Sequence, residues 1–286
     1  MKNCSILIFL LTLTTSIFAA PKEKTVNVMT FNIRLDNAAD GINNWKFRKD
    51  YAANLIQFHN ADIIGTQEVL NNQYHDLIER LPAYNHVGVG REDGDKKGEA
   101  CAIFFKKDRF KLYDSGTFWL SENINAVGVK GWDAACERIA TWAILKDNNT
   151  GKKFLFMNTH LDHQGLIARR EGAKLILKKA NELSKGLPII VTGDFNAAQT
   201  EEPIQVLIDK TNPLHLTDSK ENAELKYGPE WTCHNFGRTP LENRSTIDYI
   251  FLKGKFSVIK HGALSENLGT VFPSDHTPVM ATLLMK

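Results

Sequence analysis

Apolar residues along the chain fall into short runs whose period changes repeatedly. Val26 to Ile33 is rich in β-formers and predicts a first strand. Polar residues and Gly41 then make a loop before a helical run from Phe47 to Phe58, followed by a strand over Asp62 to Thr66. Gln73 to Arg80 predicts a helix that Pro82 ends. Asn85 to Val89, Ala100 to Phe105 and Phe110 to Trp119 predict strands separated by charged or glycine-containing turns. Ile139 to Leu145 and Lys153 to Asn158 pair as a hairpin about the turn residues 148–151. The clearest helix is Ile167 to Ser184. Leu187 to Thr192 is a continuous apolar run of the kind buried on both faces, and Ile204 to Ile208 is a short helix after Pro203. Ile247 to Leu252, Phe256 to His261 and Thr277 to Leu284 are the closing strands. So many strands with interspersed helices predict an α/β fold of two packed sheets flanked by helices rather than a simple alternating βαβ sheet.

The first 20 residues stand apart from this pattern. Lys2 is followed by an apolar run from Ile6 to Phe18 and by the small residues Ala19 and Ala20, the layout of a secretory signal. The expected organisation is therefore a signal peptide over residues 1–20 and one domain over residues 21–286, secreted or periplasmic. No other segment is apolar enough to span a membrane, and a hydrophobic fraction of 43% suits a globular body. No linker, repeat or low-complexity run divides it.

A formal charge of +2 supplies no basic footprint of the kind nonspecific nucleic-acid binders use. Nucleic acid is permitted as a partner but not implied. Cys101, Cys136 and Cys233 follow the leader, enough for at most one disulfide, and none lies in a Cys-x-x-Cys pair. A sulfur-based zinc site is not expected.

Acidic, amide and imidazole residues recur at the ends of the expected strands: Asn32, Glu68, His160, Asp194 with Asn196, Asp248, and Asp275 with His276. Any one of these fits ordinary turn chemistry. Together they predict convergence on one rim. Carboxylates and amide oxygens are the hard donors that Mg²⁺ or Mn²⁺ prefers, and such a cation suits phosphate chemistry.

Six segments resemble the endonuclease/exonuclease/phosphatase family in the order seen there: TFNIRLD from Thr30, GTQEV from Gly65, NTHLD from Asn158, GDFN from Gly193, IDYIF from Ile247 and SDHTPV from Ser274. The resemblance implies a four-layer α/β sandwich, two mixed β-sheets face to face with helices on the outside. It also implies a metal-dependent site at one end, with Glu68 as the main metal-binding carboxylate and Asn32 and Asp275 beside the ion. Asp194 would position or deprotonate the attacking water, Asn196 would donate to the phosphate, and His276 would touch it, oriented by Asp248. Asp194 and His276 both remain open as the base. His160 resembles the second family histidine, and Glu99 falls where its supporting carboxylate would be. Arg138 aligns with a phosphate-binding arginine of the deoxyribonuclease branch, although a structural ion pair is the alternative. Asp162 and His163 either help select substrate or are loop residues.

Other positions carry simpler expectations. Packing is expected for Trp45 and surface charge for Arg48, and the segment 90–98 reads as a mobile charged loop rather than a calcium site.

The resemblance fixes chemistry better than substrate. Val69, Leu70, Asn71 and Asn72 follow Glu68 where the deoxyribonuclease branch carries an arginine for the DNA groove. The expected activity is hydrolysis of a small sugar or nucleotide phosphate. An extracellular nuclease, or a catalytically silent binding module on the same fold, are the alternatives.

Overall fold

The computed structural model describes residues 24–286, so the expected leader at residues 1–20 lies outside the described residues. In chain order the elements are β1 (Thr25–Asn32), α1 (Trp45–Phe58), β2 (Ile63–Gln67), α2 (Asn71–Arg80), β3 (Tyr84–Val87), β4 (Ile103–Lys106) and β5 (Phe110–Trp119). Then come β6 (Ile139–Asp147), β7 (Lys153–His160), α3 (Leu166–Ser184), β8 (Ile189–Asp194), α4 (Glu202–Ile208), β9 (Thr217–Asp218) and β10 (Ala223–Tyr227). The chain closes with β11 (Asp248–Lys253), β12 (Phe256–Ala263) and β13 (Val279–Met285).

Two mixed sheets result, one of order β10-β12-β13-β1-β2-β4-β3 and the other β5-β6-β7-β8-β11-β9. Their inner faces share a core that includes Val28, Ile63, Phe105, Leu145, Phe156, Ile190, Ile250 and Leu283. Residues of the opposite face of the first sheet, Met29, Ile64 and Phe104 among them, pack with Ala52 and Ile56 of α1 and Leu77 of α2. The second sheet is covered in the same way by Ile176 and Ala180 of α3 and Leu207 of α4. These are the four layers expected, and β2 and β8 are buried along their whole length, which is why each opens on consecutive apolar residues rather than alternating.

The strand directions decide where the polar residues go. β1 and β2 run parallel, as do β7 and β8, whereas β13 and β11 are antiparallel to their neighbours. The C-terminal ends of β1, β2, β7 and β8 therefore share a rim with the N-terminal ends of β11 and β13. In register, Asp194 stands opposite both His160 and Asp248.

Departures from the expected elements are local. The strand expected from Ala100 begins at Ile103, and Ala100 instead bridges Val69 and Gly90 where the chain turns into the rim. β9 and β10 were not expected. β9 is only two residues long, and β10 is an edge strand with an exposed Leu225 and Tyr227, so neither carries the buried face that makes a strand legible.

Candidate active site

The rim holds a cleft of about 310 Å³ lined by Glu68, Asp194, Asn196, His160, Asp275 and His276, together with Arg34, Arg91, Glu99, Arg138, His163 and two of the cysteines. Three of these residues take the left-handed backbone conformation that side chains rarely adopt: Arg34, Glu68 and Asn196, with φ of 58°, 61° and 46°. Their amides or carboxylates are tied down locally. Arg34 N donates to Asn32 Oδ1 at 3.0 Å, Asn196 N to Asp194 Oδ1 at 2.9 Å, and Leu35 N to Glu68 Oε2 at 3.0 Å. Such bonds keep the strain in place where the strands end.

Asn32 sits between the two carboxylates. Its Nδ2 donates to Glu68 Oε1 and to Asp194 Oδ2, both at 2.9 Å, joining the two sheets at the rim. The amide oxygen is engaged by Arg34 N, so Asn32 bridges the acidic pair as well as bordering the cleft. Asp275 lies 3.7 Å from Arg34 Nε, and Arg34 forks onto Asp40 at 3.1 and 3.2 Å.

His276 Nδ1 meets Asp248 Oδ2 at 2.9 Å, and its Nε2 lies 3.8 Å from Asp194 Oδ2. Burial works against a charged imidazole, but the Asp248 carboxylate beside it holds the His276 pKa well above the ordinary histidine value. His160 is shifted the other way, well below it, by burial and by the guanidiniums of Arg138 and Arg91. Its Nε2 accepts from Asn196 Nδ2 at 2.9 Å, which puts the ring proton on Nδ1. Asp194, 3.4 Å from that same Nε2, is pushed up to about 7 by burial and by the nearby Asp248 charge. Glu68 stays below its ordinary value despite burial, because of His276 and the Leu35 and Asn32 donors. Asp275 is raised by burial and by Glu68. One cleft thus contains an imidazole whose pKa is raised, another whose pKa is lowered and a carboxylate pushed up, the kind of separation that proton-transfer catalysis uses.

The donor set fits a hard divalent cation. Glu68, His160 and Asp194 each bring a ligand atom within 4.8 Å of the others, and so do Asp194, Asp248 and His276. Burial first, and Glu68 after it, raise Asp275, and the Arg34 guanidinium lies against both carboxylates, 4.0 Å from Glu68 Oε2 and 3.7 Å from Asp275 Oδ2. A third group of Cys136, Asp162 and His163 is less available. Asp162 there already accepts from the amides of Ala135, Gln164 and Gly165 and from Arg138 Nε.

Several expectations need correcting. Glu99 lines the cleft but does not support His160. Both its oxygens take up the Arg91 guanidinium, at 2.9 and 2.7 Å, and His160 Nδ1 has no hydrogen-bond partner among the described residues. Asp162 is buried outside the cleft lining and holds Arg138 rather than facing substrate. Arg138 does line the cleft, with Nη2 donating to His163 Nδ1 at 2.9 Å. His163 is therefore part of the site. The segment 90–98 is pinned, with Gly90 N donating to Asp95 O at 2.9 Å, Glu92 N to Lys97 O at 3.0 Å and Trp119 Nε1 to Arg91 O at 2.7 Å.

Arg48 is fully buried instead of on the surface. It donates to the carbonyls of Asn43, Ile33, Arg34 and Pro273, bracing the β1 end against the loop that carries Asp275 and His276. Trp45 packs as expected, its Nε1 bonded to Asp76 at 2.9 Å. Arg34 and Arg91 were not foreseen as cleft residues. Arg34 stands inside TFNIRLD, so its motif was a usable signal, whereas Arg91 lies in a charged loop with nothing local to distinguish it.

Comparison with protein families matches residues 29–276 to the Endonuclease/Exonuclease/phosphatase family. Among solved structures, an endonuclease/exonuclease/phosphatase from Bacteroides vulgatus is 43% identical with a TM-score of 0.88, covering 92% of this chain and all of its own. The mannosyl-6-phosphatase of Bacteroides thetaiotaomicron is 39% identical with a TM-score of 0.84, covering 91% of this chain and all of its own. Human Nocturnin is 27% identical over 286 residues, 88% of this chain and 63% of Nocturnin. A CCR4-Not complex 3'-5'-exoribonuclease subunit from Emericella nidulans is 28% identical over half of this chain but only 25% of that subunit, so the chain spans a minor part of that longer relative. With the motifs, the four layers and the convergent rim all in agreement, the chain belongs to the endonuclease/exonuclease/phosphatase family, whose members hydrolyse phosphoester bonds.

Proposed function

We propose that the protein is an exported, divalent-metal-dependent phosphatase acting on small sugar or nucleotide phosphates. The observation that carries this reading is the position of Asp194, whose Oδ2 lies 3.4 Å from His160 Nε2 and 3.8 Å from His276 Nε2 while accepting from Asn32 at 2.9 Å. Similarity to the mannosyl-6-phosphatase supports a small phosphorylated sugar as substrate.

In this reading Glu68 and Asp275, with Asn32 beside them, would hold Mg²⁺ or Mn²⁺, and the ion would supply Lewis-acid polarisation of the phosphoryl group and charge stabilisation at the leaving oxygen. Asp194, with a pKa near neutrality, takes the proton of the attacking water. Asp248, 2.9 Å from His276 Nδ1, holds the His276 pKa up, which suits that imidazole to donating to the phosphate. Arg138 donates to phosphate oxygens, and Asn196, whose two amide hydrogens go to His160 Nε2 and the Leu161 carbonyl, would redirect one of them to do the same. A second reading, a nuclease, is favoured by the exoribonuclease relative, but the formal charge of +2 gives no footprint for a long polyanion.

The test is phosphate release from hexose and nucleoside monophosphates with Mg²⁺ or Mn²⁺, with RNA and DNA alongside. The expected result is turnover of the monophosphates that EDTA abolishes and that Asp194→Asn lowers by roughly 10³-fold or more. Turnover surviving either treatment, or confined to nucleic acid, overturns the reading.

A further inference from the structure

Arg91 reaches the cleft from an unusual direction. Most of the polar rim comes from strand ends, but Arg91 is delivered by the loop 90–98 beyond β3. The loop is built to hold it still. Its backbone is closed by the bonds of Gly90 to Asp95 and Glu92 to Lys97, and a Cβ on Gly90 would collide with the Lys97 carbonyl. Glu99 then clasps the guanidinium through two parallel bonds, so the side chain is fixed before any ligand arrives.

The surroundings indicate what it is fixed for. Arg91, Arg138, Glu99, Glu68 and His160 enclose a hollow of about 10 Å³ under the cleft, which makes both guanidiniums near neighbours of the catalytic group. Each guanidinium has five N–H donors. Glu99 takes two from Arg91, whereas Asp162 and His163 take one each from Arg138. Arg91 Nε and Arg138 Nη1 are buried with no acceptor among the described residues. Buried donors without acceptors are costly. Each guanidinium has its own carboxylate, Glu99 for Arg91 and Asp162 for Arg138, so the charges are matched, but the wall carries more N–H donors than those carboxylates satisfy.

A terminal phosphate differs from a diester in what such a wall can read. The monoester carries close to two negative charges near neutral pH and three non-bridging oxygens, against one charge and two oxygens for a diester. Resting on the phosphatase reading, we propose that Arg91, positioned by Glu99, selects phosphomonoesters over diesters by binding with Arg138 the additional oxyanion of a terminal phosphate. Arg91 is the specificity-determining residue and Glu99 its positioning residue.

The experiment compares wild type with Arg91→Lys, Arg91→Gln and Glu99→Gln in Mg²⁺, with thermal melts to confirm folding. Turnover of p-nitrophenyl phosphate and bis(p-nitrophenyl) phosphate is measured, together with calorimetric binding of inorganic phosphate. Arg91→Lys keeps a charge beside Glu99 but loses the fork, and Glu99→Gln keeps Arg91, so the test survives if Arg91→Gln fails to fold. The expected result is a monoester kcat/KM about 10- to 100-fold lower in the variants, diester kcat/KM within about threefold of wild type, and phosphate binding weakened about tenfold or more. Equal losses on both substrates, or no loss on the monoester, overturn the proposal. If the wild type cleaves only the diester, the phosphatase reading fails on that result alone, and phosphate binding unchanged in Arg91→Lys then overturns the role of Arg91 separately.

Discussion

Asp248 and His276 show how one contact sets a residue's charge. The imidazole is buried, which should discharge it, yet the carboxylate at 2.9 Å reverses that balance. Asp248→Asn removes the opposing charge, so the pKa of His276 in metal-free protein is expected to fall below its wild-type value, read by pH-titrated NMR of the ring. The stability consequence has a definite sign. A histidine raised in the folded state stabilises fully below about pH 6.5, and that contribution is lost as the pH rises through the folded value. The stability gap between Asp248→Asn and wild type is therefore expected to be larger at pH 6 than at high pH, and an unchanged gap with an unchanged His276 titration would remove the pairing from the argument. At this scale the sequence was a good guide to identity and a poor one to partnership. Asp194, His276 and Asp248 were legible because the motifs name them. The partner of Glu99 was not, because a carboxylate pairs with whichever cation packing brings nearest, and here that is Arg91 rather than His160.

At the scale of elements, the motif residues that do no chemistry have structural reasons. Asn158 of NTHLD lies on β7, and its Nδ2 donates across to the carbonyls of Thr66 and Ala102 at 2.8 and 3.0 Å. Gln67 Nε2 donates back to Asn158 Oδ1 at 2.7 Å, and Thr192 Oγ1 bonds the same oxygen at 3.1 Å. This buried network links the two sheets just below the rim and leaves one of its atoms, Gln67 Oε1, without a partner among the described residues. Gly65 makes room for it, since a Cβ there would collide with Thr192 Oγ1 and Asn158 Oδ1. Gly65→Ala is accordingly expected to destabilise by about 2–4 kcal/mol in urea melts, the range for overpacking combined with loss of a buried polar bond. A change below about 0.5 kcal/mol would mean that the sheets are free to adjust. Most element positions were readable from period and breaker residues. β10 was not, because an exposed edge strand lacks the one-sided burial that gives a strand its signature.

For the whole molecule, covalent crosslinks are absent among the described residues: Cys101, Cys136 and Cys233 are all free thiols. Packing of two sheets and two helical layers therefore carries the fold. Melting temperatures with and without reductant are expected to agree within about 1 °C, whereas losing a disulfide worth about 2–4 kcal/mol would lower Tm by several degrees. The sequence by itself determined the succession of strands and helices, the residue types at the strand ends and hence the family and its chemistry, because periodicity, turn residues and motif spacing are properties of neighbouring positions. Only the tertiary structure decided that Asn32 reaches Glu68 across 36 positions and Asp194 across 162, that Arg48 reaches Pro273 across 225, and that Arg91 enters the cleft clasped by Glu99. Those pairings depend on which strands run parallel and how the layers close, and a side chain's partner is set by distance in space, which local pattern does not encode.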